Sequence, residues 1–460
     1  MLSKLDLMTV KPDDHRNVIS KWNSCMKGFF WNLLVFLFGI AVPTFLILLG
    51  GGRLNLETTI ALSAGASAFS LMAINLFLST RPPLLERWIG GLDRLYVTHK
   101  WTGISVLFLA IAHERIGMDF EKGQVATVGL AALAVDVAEV AFYVLLVLLL
   151  VSWMKRWPKM IRRFMPWPGG GNGDLLPYAL WRWTHRALGL VFMALSFHQL
   201  FVRVPFEANT VADSYLNSMA AFGIVCFLYT QFGWLLRRRS YTVTDVTPHP
   251  AATIIQATPK RRGISARPGA FAVISAGRAG LREPHPFTVS GASEDGGLQF
   301  SIRALGDYTR RVRERLQVGD NLYVEGCYGT FDYRKGPARQ LWLAGGIGIT
   351  PFLSFADSLT AEDTRKITLV YAITKEEEAV GLDRIRAAEA RCPGFRFVLH
   401  KSETDGRLTS MRLAEYAPFP LREAGLWFCG PAPMREAILS QLRKDGNAPR
   451  EVHFEQFEFR

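Results

Sequence analysis

Six long apolar runs fill the first half of this 460-residue chain, and no run of comparable length follows Arg237. Each is long enough to cross a hydrocarbon core of roughly 30 Å as a helix. The first run is too long for the apolar core of a signal peptide, so we expect it to remain in the mature protein. The pattern predicts a six-helix transmembrane bundle over 28–239, preceded by a segment 1–27. The runs cover about 28–50, 59–80, 95–113, 125–153, 183–202 and 216–236.

Lysine and arginine are concentrated on one side of the predicted bundle. They fill the amino-terminal tail, the second-to-third and fourth-to-fifth loops, and Arg237–Arg239 after the sixth run, whereas the opposite loops hold few. Because basic flanks stay in the cytoplasm, we expect a multi-pass protein of the cell membrane with both termini cytoplasmic. The net charge of +13 is partly this topology signal, so it requires no nucleic-acid partner.

Four histidines lie at matched spacings in the apolar half: His99 and His113 are 14 residues apart, and His185 and His198 are 13 apart. Ionisable side chains within membrane helices are rare and indicate function. Fourteen helical residues rise roughly 21 Å, so each helix can present neutral imidazoles, which ligate haem iron, at two depths. The quartet therefore predicts two b-type haems, an inner one on His99 and His185 and an outer one on His113 and His198.

Two points weigh against this interpretation of the histidines. A straight helix turns His198 roughly 140° from His185, so the second pair needs some local adjustment. The alternative is that the histidines lie at helix ends in the water interface. The cysteines offer no other metal site, because they show no C-x-x-C spacing and so predict neither an iron–sulfur cluster nor a structural zinc. They are Cys25, Cys226, Cys327, Cys392 and Cys429.

After Tyr241 the chain changes to short strands. Runs over 240–337 have the spacing of an antiparallel β-barrel. From 338 to 460, short apolar strands alternate with helical stretches, which predicts a doubly wound α/β domain with a parallel sheet. The expected barrel strands are Ala252–Thr258, Gly269–Ala276, Leu298–Ala304 and Asn321–Glu325. The expected parallel strands are Gln340–Leu343, Ile367–Tyr371, Arg396–Leu399 and Gly425–Cys429.

A glycine-rich turn, Gly345–Gly348, follows the first of these parallel strands. Thr350 and Pro351 then open a helix whose first amides can face a pyrophosphate. Upstream, Arg303 and Thr309 carry a guanidinium and a hydroxyl, both of which bind phosphate oxygens well. An exposed strand charge and a turn hydroxyl are the simpler alternatives for these two residues.

Four segments resemble the flavocytochrome b family of NADPH oxidases and ferric reductases, and the resemblance extends from about 28 to 460. They are HPFTVS at 285–290, IRALGDYT at 302–309, EGCYGTF at 325–331 and LAGGIGITPFLS at 343–354. The resemblance implies a membrane half followed by a ferredoxin-reductase-like half that binds FAD and NAD(P)H. The FAD ligands that it implies are His285, Pro286, Phe287, Thr288, Arg303 and Thr309.

The resemblance also assigns residues around the flavin and the nicotinamide. Phe457 in the terminal FEQFEFR is the expected aromatic over the flavin, with Phe459 second, although a last strand with core phenylalanines would give the same pattern. Cys429 is expected beside the nicotinamide. In the phosphate loop, Cys327 replaces the family's proline. The loop glycines and their neighbours implied by the resemblance are Gly326, Gly329, Gly345, Gly346, Gly348, Thr350, Pro351, Gly430 and Pro431.

The sequence favours NADPH as the electron donor without excluding NADH. Lys375 and Arg407 could meet a 2′-phosphate, whereas Glu376–Glu378 would favour the bare ribose of NADH. Nicotinamide gives two electrons and haem accepts one at a time, so a flavin must lie between them.

The expected function is a superoxide-generating NAD(P)H oxidase. Electrons would pass from cytoplasmic NAD(P)H through FAD and both haems to O2 outside. The short outer loops at 51–58, 114–124 and 203–215 favour O2 over a bulky ferric chelate, but Ala61–Ala68 lacks the arginine of the animal oxidases. A ferric-chelate reductase and a non-enzymatic haem relay or scaffold remain alternatives. The expected partners are the lipid bilayer and a small acceptor, and the sequence identifies no obligate protein partner.

Overall fold

The structure is a computed structural model that describes residues 28, 30–50, 55–89, 91–116, 129–154, 178–202 and 210–455. The chain divides into two compact units, Met1–Trp234 and Leu235–Arg460. Phe457 and Phe459 lie outside the described residues, as do the segment 1–27 and most of the three outer loops.

The first unit is helical. Its outward surfaces carry large apolar side chains, such as Phe108, Leu190 and Val225, each more than 60% exposed. Such surfaces are unfavourable in water and suit a hydrocarbon solvent. The helices are α1 (Phe30–Leu49), α2 (Leu56–Ser79), α3 (Pro83–Ile89), α4 (Leu92–Ile116), α5 (Leu130–Met154), α6 (Tyr178–Phe201) and α7 (Thr210–Phe232).

Five helices among the described residues are long and apolar enough to cross a membrane: α1, α2, α4, α5 and α7. The helix α6 has 24 residues, which is long enough, but Arg182, Arg186 and two histidines make it more polar than the other five. The prediction of membrane-spanning helices is thus confirmed for five, and a sixth span at α6 stays a prediction.

The packing of this unit places α2 and α5 beside the histidine-bearing helices. The helix α2 is the most buried of the five candidate spans and packs along α4, while α5 packs along α6. On the far side of α2, Phe69 stacks on Phe192 of α6, with ring centroids 5.0 Å apart. The histidines of α4 and α6 therefore each have a neighbouring helix that can supply hydrogen-bond acceptors.

The second unit begins with a short helix, α8 (Trp234–Arg237), and a closed antiparallel barrel in the order β1-β2-β5-β4-β3-β6. The barrel prediction is confirmed, with two additional strands, β1 and β4. The HPFT segment lies in β4. The strands are β1 (Arg239–Pro248), β2 (Thr253–Pro259), β3 (Phe271–Ala276), β4 (His285–Ala292), β5 (Leu298–Ile302) and β6 (Asn321–Tyr328).

The helix α9 (Asp307–Arg315) lies between the barrel strands β5 and β6 in the chain, and the barrel is followed by a parallel sheet in the order β11-β10-β7-β8-β9. The predicted doubly wound sheet is confirmed, and β11 is an additional strand. The strand order reverses between β7 and β10, and open α/β sheets bind ligands at such a point. The sheet strands are β7 (Arg339–Gly345), β8 (Lys366–Ile373), β9 (Phe395–Lys401), β10 (Gly425–Cys429) and β11 (Glu451–Phe454).

Five helices accompany the sheet. The helix after the glycine turn begins at Thr350, with Pro351 in its first turn, as the sequence predicts. They are α10 (Thr350–Ser358), α11 (Leu382–Arg391), α12 (Ser402–Asp405), α13 (Ser410–Tyr416) and α14 (Ala432–Lys444).

Candidate redox centres

The four histidines of the helical unit fall into two pairs along α4 and α6. The ring centroids of His99 on α4 and His185 on α6 are 5.9 Å apart. Farther along the same two helices, His198 lies within electrostatic range of His113. The helix α6 is unbroken from Tyr178 to Phe201, so it brings both rings to α4 without the interruption that the 13-residue spacing could have required.

Each histidine ring is held by a neighbouring helix. On α2, the carbonyl of Ala61 accepts from Nδ1 of His113 at 2.8 Å, and the backbone of Asn75 hydrogen-bonds His99. On α5, the Oγ of Ser152 lies 3.0 Å from Nδ1 of His185. The carbonyl of Ala134, also on α5, accepts from Nδ1 of His198 at 3.3 Å. A hydrogen-bond acceptor at Nδ1, as at His113, His185 and His198, fixes the tautomer and leaves Nε2 as the nitrogen that can bind a metal.

The small residues of Ala61–Ala68 make room for His113. A Cβ at Gly65 would lie only 2.6 Å from Nδ1 of His113, so only glycine lets this ring approach the helix. The stretch that lacks the animal oxidases' arginine thus has a packing role at the outer histidine.

The inner pair fits a bis-imidazole haem. Two metal–imidazole bonds of roughly 2 Å, with about 1 Å more from each nitrogen to its ring centre, give a centroid separation near 6 Å. The observed 5.9 Å between His99 and His185 agrees with this value. Among the described residues no cluster of three or more histidine, cysteine or acidic side chains forms another metal site. Two histidines per site are the ligands that a bis-imidazole haem requires.

The HPFT segment contributes rings to a cluster of stacked side chains on the barrel. The His285 ring stacks on Tyr308, with centroids 3.8 Å apart, and Tyr308 is nearly parallel to Phe287. The buried hydroxyl of Thr288, on the same strand, has no hydrogen-bond partner within the described part of the chain. A buried polar atom of this kind requires a partner, and a flavin would supply one.

Arg303 and the glycine turn are brought together, as a shared phosphate site requires. The Nη1 of Arg303 lies 3.5 Å from the position of a Cβ on Gly346, which has φ +56°. A guanidinium beside the backbone amides of a glycine-rich turn suits a pyrophosphate. Thr309 has a different local role, because its hydroxyl accepts the amides of Leu305 and Gly306 at 2.9 Å. It thereby orders the start of α9.

The glycine turn and the Cys429–Pro431 loop meet where the strand order reverses. Residues 425–429 of β10 pair in parallel with 340–344 of β7. A Cβ on Gly348 would overlap the Cys429 carbonyl, and one on Gly430 would lie 3.1 Å from the Gly345 backbone. This backbone-to-backbone contact explains the glycines, and it forms the ligand crevice of a doubly wound sheet.

Acidic and basic side chains both surround the residues that are expected to determine whether NADPH or NADH binds. Lys375 Nζ lies 3.8 Å from Glu403 Oε1, with both side chains 56% exposed. Lys401 pairs with Glu376 at 3.0 Å, and Arg407 is exposed. The lysines thus already have acidic partners, and the arrangement accommodates either dinucleotide.

The two thiols of the nucleotide side are not nucleophiles. Burial holds the pKa of the Cys429 thiol well above its usual range, and burial raises the pKa of Cys327 to about 12. Both remain neutral at physiological pH, and thiolates are the reactive form. Cys429 therefore contributes its backbone and its packing volume beside the crevice.

Sequence reasoning missed Glu455. Its backbone amide donates to the Phe428 carbonyl, its Oε1 lies 3.8 Å from the Cβ position of Gly329, and its Oε2 is buried without a partner in the described residues. Burial raises the pKa of Glu455 to about 8. In the sequence, Glu455 lies two residues before Phe457, in a segment where the phenylalanines were the expected site residues.

Replacing Glu455 with glutamine should remove a pH-dependent loss of stability. The folded-state pKa of about 8 exceeds the ordinary 4.5, so the folded protein holds an extra proton between these values and its stability falls as pH rises through them. Thermal unfolding should show wild type and Glu455→Gln alike near pH 5 and the variant more stable near pH 9. The exposed Glu415→Gln is the control, and parallel pH profiles for all three proteins would contradict a protonated Glu455.

Models of three protein families match consecutive parts of the chain. Residues 64–196 match the ferric reductase like transmembrane component, residues 240–340 match an FAD-binding domain, and residues 342–439 match an oxidoreductase NAD-binding domain. The chain has the architecture of the ferric reductase and NADPH oxidase flavocytochromes. This ferric reductase-like chain is thus an integral membrane oxidoreductase with FAD-binding and NAD(P)H-binding modules.

Curated relatives match 31–39% of this ferric reductase-like chain. It is 26% identical over 185 residues to the toluate 1,2-dioxygenase electron transfer component of Pseudomonas putida, covering 39% of this chain and 55% of the relative. It is 33% identical over 146 residues to the 3-ketosteroid-9-alpha-monooxygenase ferredoxin reductase component of Mycolicibacterium smegmatis, covering 31% and 41%. The chain spans about half the length of the curated relatives it matches.

Solved structures are similar at lower identity. A flavohemoglobin from Malassezia yamatoensis is 14% identical with a TM-score of 0.45, covering 88% of this chain and 99% of that one. A ferredoxin NADP+ reductase from Neisseria gonorrhoeae is 17% identical with a TM-score of 0.41, covering 48% and 98%.

Proposed function

We propose that this chain is a transmembrane NAD(P)H oxidase that passes electrons from cytoplasmic NAD(P)H through FAD and two b-type haems to O2, giving superoxide. One observation carries the proposal: the four histidines fall into two pairs along α4 and α6, and the ring centroids of His99 and His185 are 5.9 Å apart. The FAD-binding and NAD-binding domains would receive the electrons. The haems held by the two histidine pairs would carry them across the membrane.

The chain's own residues account for binding of the haems. His99 and His185 would hold the inner haem, and His113 and His198 the outer one, each through Nε2, while α2 and α5 orient the rings. When bound, haem carries one electron at a time. If each iron were held by two of these histidines, the protein would leave no open iron position, and the haems would supply one-electron chemistry towards the acceptor.

In the second unit, the crevice at the carboxyl ends of β7 and β10 would hold the dinucleotide, and the barrel would hold FAD. Arg303 and the first amides of α10 face the phosphates, and Thr288 offers its unpartnered hydroxyl to the flavin. We propose Phe457 as the aromatic that covers the flavin face. Bound FAD accepts a hydride and releases single electrons. The donor is NADPH or NADH.

The surroundings of the outer histidines favour a small apolar acceptor. An open apolar groove of about 480 Å³ lies between α5 and α6 on the hydrocarbon-facing surface, where the exposed Val140 and Leu190 form part of its wall. It also touches Asp136, two residues after the Ala134 that holds His198, and Ala194, one turn before His198. Oxygen suits such walls better than a charged ferric chelate does.

Ferric-chelate reduction is the second candidate, and the family model over residues 64–196 favours it by its description. The purified protein, reconstituted with haem and FAD, distinguishes the two. On addition of NADPH or NADH we expect oxygen consumption with a signal that superoxide dismutase abolishes. Slow oxygen consumption with fast reduction of a ferric chelate would replace the oxidase by the metalloreductase. Failure to oxidise either nucleotide would leave the non-enzymatic relay.

The basic flanks support a cytoplasmic location for the nucleotide-binding unit. In this orientation His99 and His185 lie near the cytoplasmic face, and His113 and His198 near the outer face. Electrons would therefore enter inside and leave outside.

A further inference from the structure

The inner and outer histidines of α6 are held by different kinds of acceptor. His198 hydrogen-bonds a backbone carbonyl, that of Ala134. His185 instead contacts the hydroxyl of Ser152, a side chain on the same helix, α5. A backbone acceptor cannot be removed by substitution, whereas the sequence at residue 152 decides whether the inner ring has its acceptor.

The direction of the Ser152–His185 hydrogen bond follows from a second contact. The Ser152 hydroxyl donates to the Leu148 carbonyl at 2.7 Å, one turn earlier on α5. Because its single proton is used there, its oxygen accepts at the 3.0 Å contact, and Nδ1 of His185 must be the donor. This protonates His185 at Nδ1 and leaves the Nε2 lone pair for a metal, in a ring whose centroid lies 5.9 Å from that of His99.

Trp181 restrains the same ring from its face. It lies one turn before His185 on α6, and the two rings stack with centroids 5.3 Å apart and planes 11° from parallel. The indole Nε1–H of Trp181 donates to the Ser152 carbonyl at 3.4 Å. Ser152 and Trp181 therefore fix the tautomer, the rotation and the tilt of the His185 imidazole together.

We propose that Ser152 is a positioning residue that tunes the inner haem through His185. The inference rests on the proposed function, because it takes His185 as an iron ligand. A hydrogen bond accepted from the distant ring nitrogen makes the ligating nitrogen more basic. A more basic ligand stabilises ferric over ferrous iron, so Ser152 keeps the reduction potential of the inner haem low and fixes the plane of one axial imidazole.

The test compares Ser152→Ala with Ser152→Thr in the full-length protein loaded with haem. In the alanine variant, haem content should stay as in wild type, the midpoint potential of one haem should rise, and the low-spin electron paramagnetic resonance signal of that haem should change its g values. The other haem should be unchanged. Threonine keeps the hydroxyl, so it should restore both properties to near wild type.

Ser105→Ala is the matched control, since Ser105 makes the same kind of bond to a carbonyl one turn earlier, that of Trp101, on α4. Unchanged potential and spectrum in Ser152→Ala, or an equal shift in Ser105→Ala, would overturn the inference. If Ser152→Ala loses one haem, retention by Ser152→Thr supports the inference and loss by both variants overturns it. A wild type without haem would instead refute the proposed function, before any variant is made.

Discussion

Replacing His99 or His185 with alanine should remove the inner haem and leave the outer one, halving the haem content per chain. Replacing His113 or His198 should remove the outer haem and leave the inner. Each iron in the proposed arrangement has two imidazole ligands from different helices, and loss of either leaves the other unable to hold a low-spin haem. Haem extraction and reduced-minus-oxidised spectra of each purified variant measure the result.

Double variants test the pairing itself. His99→Ala combined with His185→Ala should lose no more haem than either alone, because both residues serve one site, whereas His99→Ala combined with His113→Ala should lose both haems. His249→Ala, in the soluble unit, is the control. A wild type with a single haem, or additive loss in the His99 and His185 double variant, would show that the pairing is wrong.

Alanine at Gly348 should stop nucleotide-driven reduction of the flavin while leaving the haem content intact. The new Cβ would overlap the Cys429 carbonyl, which is backbone and cannot move aside as a side chain can. Separating the two loops would open the crevice where the dinucleotide binds, and overpacking of this kind costs roughly 1–3 kcal/mol. Rapid-mixing measurement of flavin reduction by NADPH should show the loss, with the haem spectra as the internal reference.

Gly277→Ala is the control for this substitution. Gly277 lies in the same unit, but a Cβ there would meet its nearest neighbour at an ordinary 3.5 Å. Equal flavin reduction in wild type and Gly348→Ala would mean that the two loops do not form the nucleotide site. Loss of haem in Gly348→Ala would mean that the defect is not local.

The parts of the fold that depend on local pattern could be predicted from the sequence. The apolar runs gave the helices, and the glycine turn before Thr350 and Pro351 gave the strand-to-helix crossing. The strands β1 and β4 are not among the strands that the sequence predicts, and β4 contains the HPFT segment. Pairing with β3, the strand before it in the chain, and with β5, the strand after it, decides that strand.

The sequence indicates which residues are candidate cofactor ligands, but it does not indicate the neighbouring groups that position them. His99, His113, His185 and His198 stand out because charged residues are rare in apolar runs. Ser152 has no such signal, since a serine near a helix end is common and its contact with His185 depends on how α5 packs against α6. The Ala61 carbonyl is likewise invisible in a sequence, because every residue has one.

The sidedness of the reaction tests the central claim most directly. In sealed vesicles of known orientation, NADPH supplied on the side of the soluble unit should produce superoxide in the opposite compartment, since His113 and His198 are proposed to lie at that face. Truncation after Arg239 should abolish it. Superoxide on the same side as NADPH, or negligible oxygen consumption with brisk reduction of a ferric chelate on the far side, would contradict the proposed oxidase.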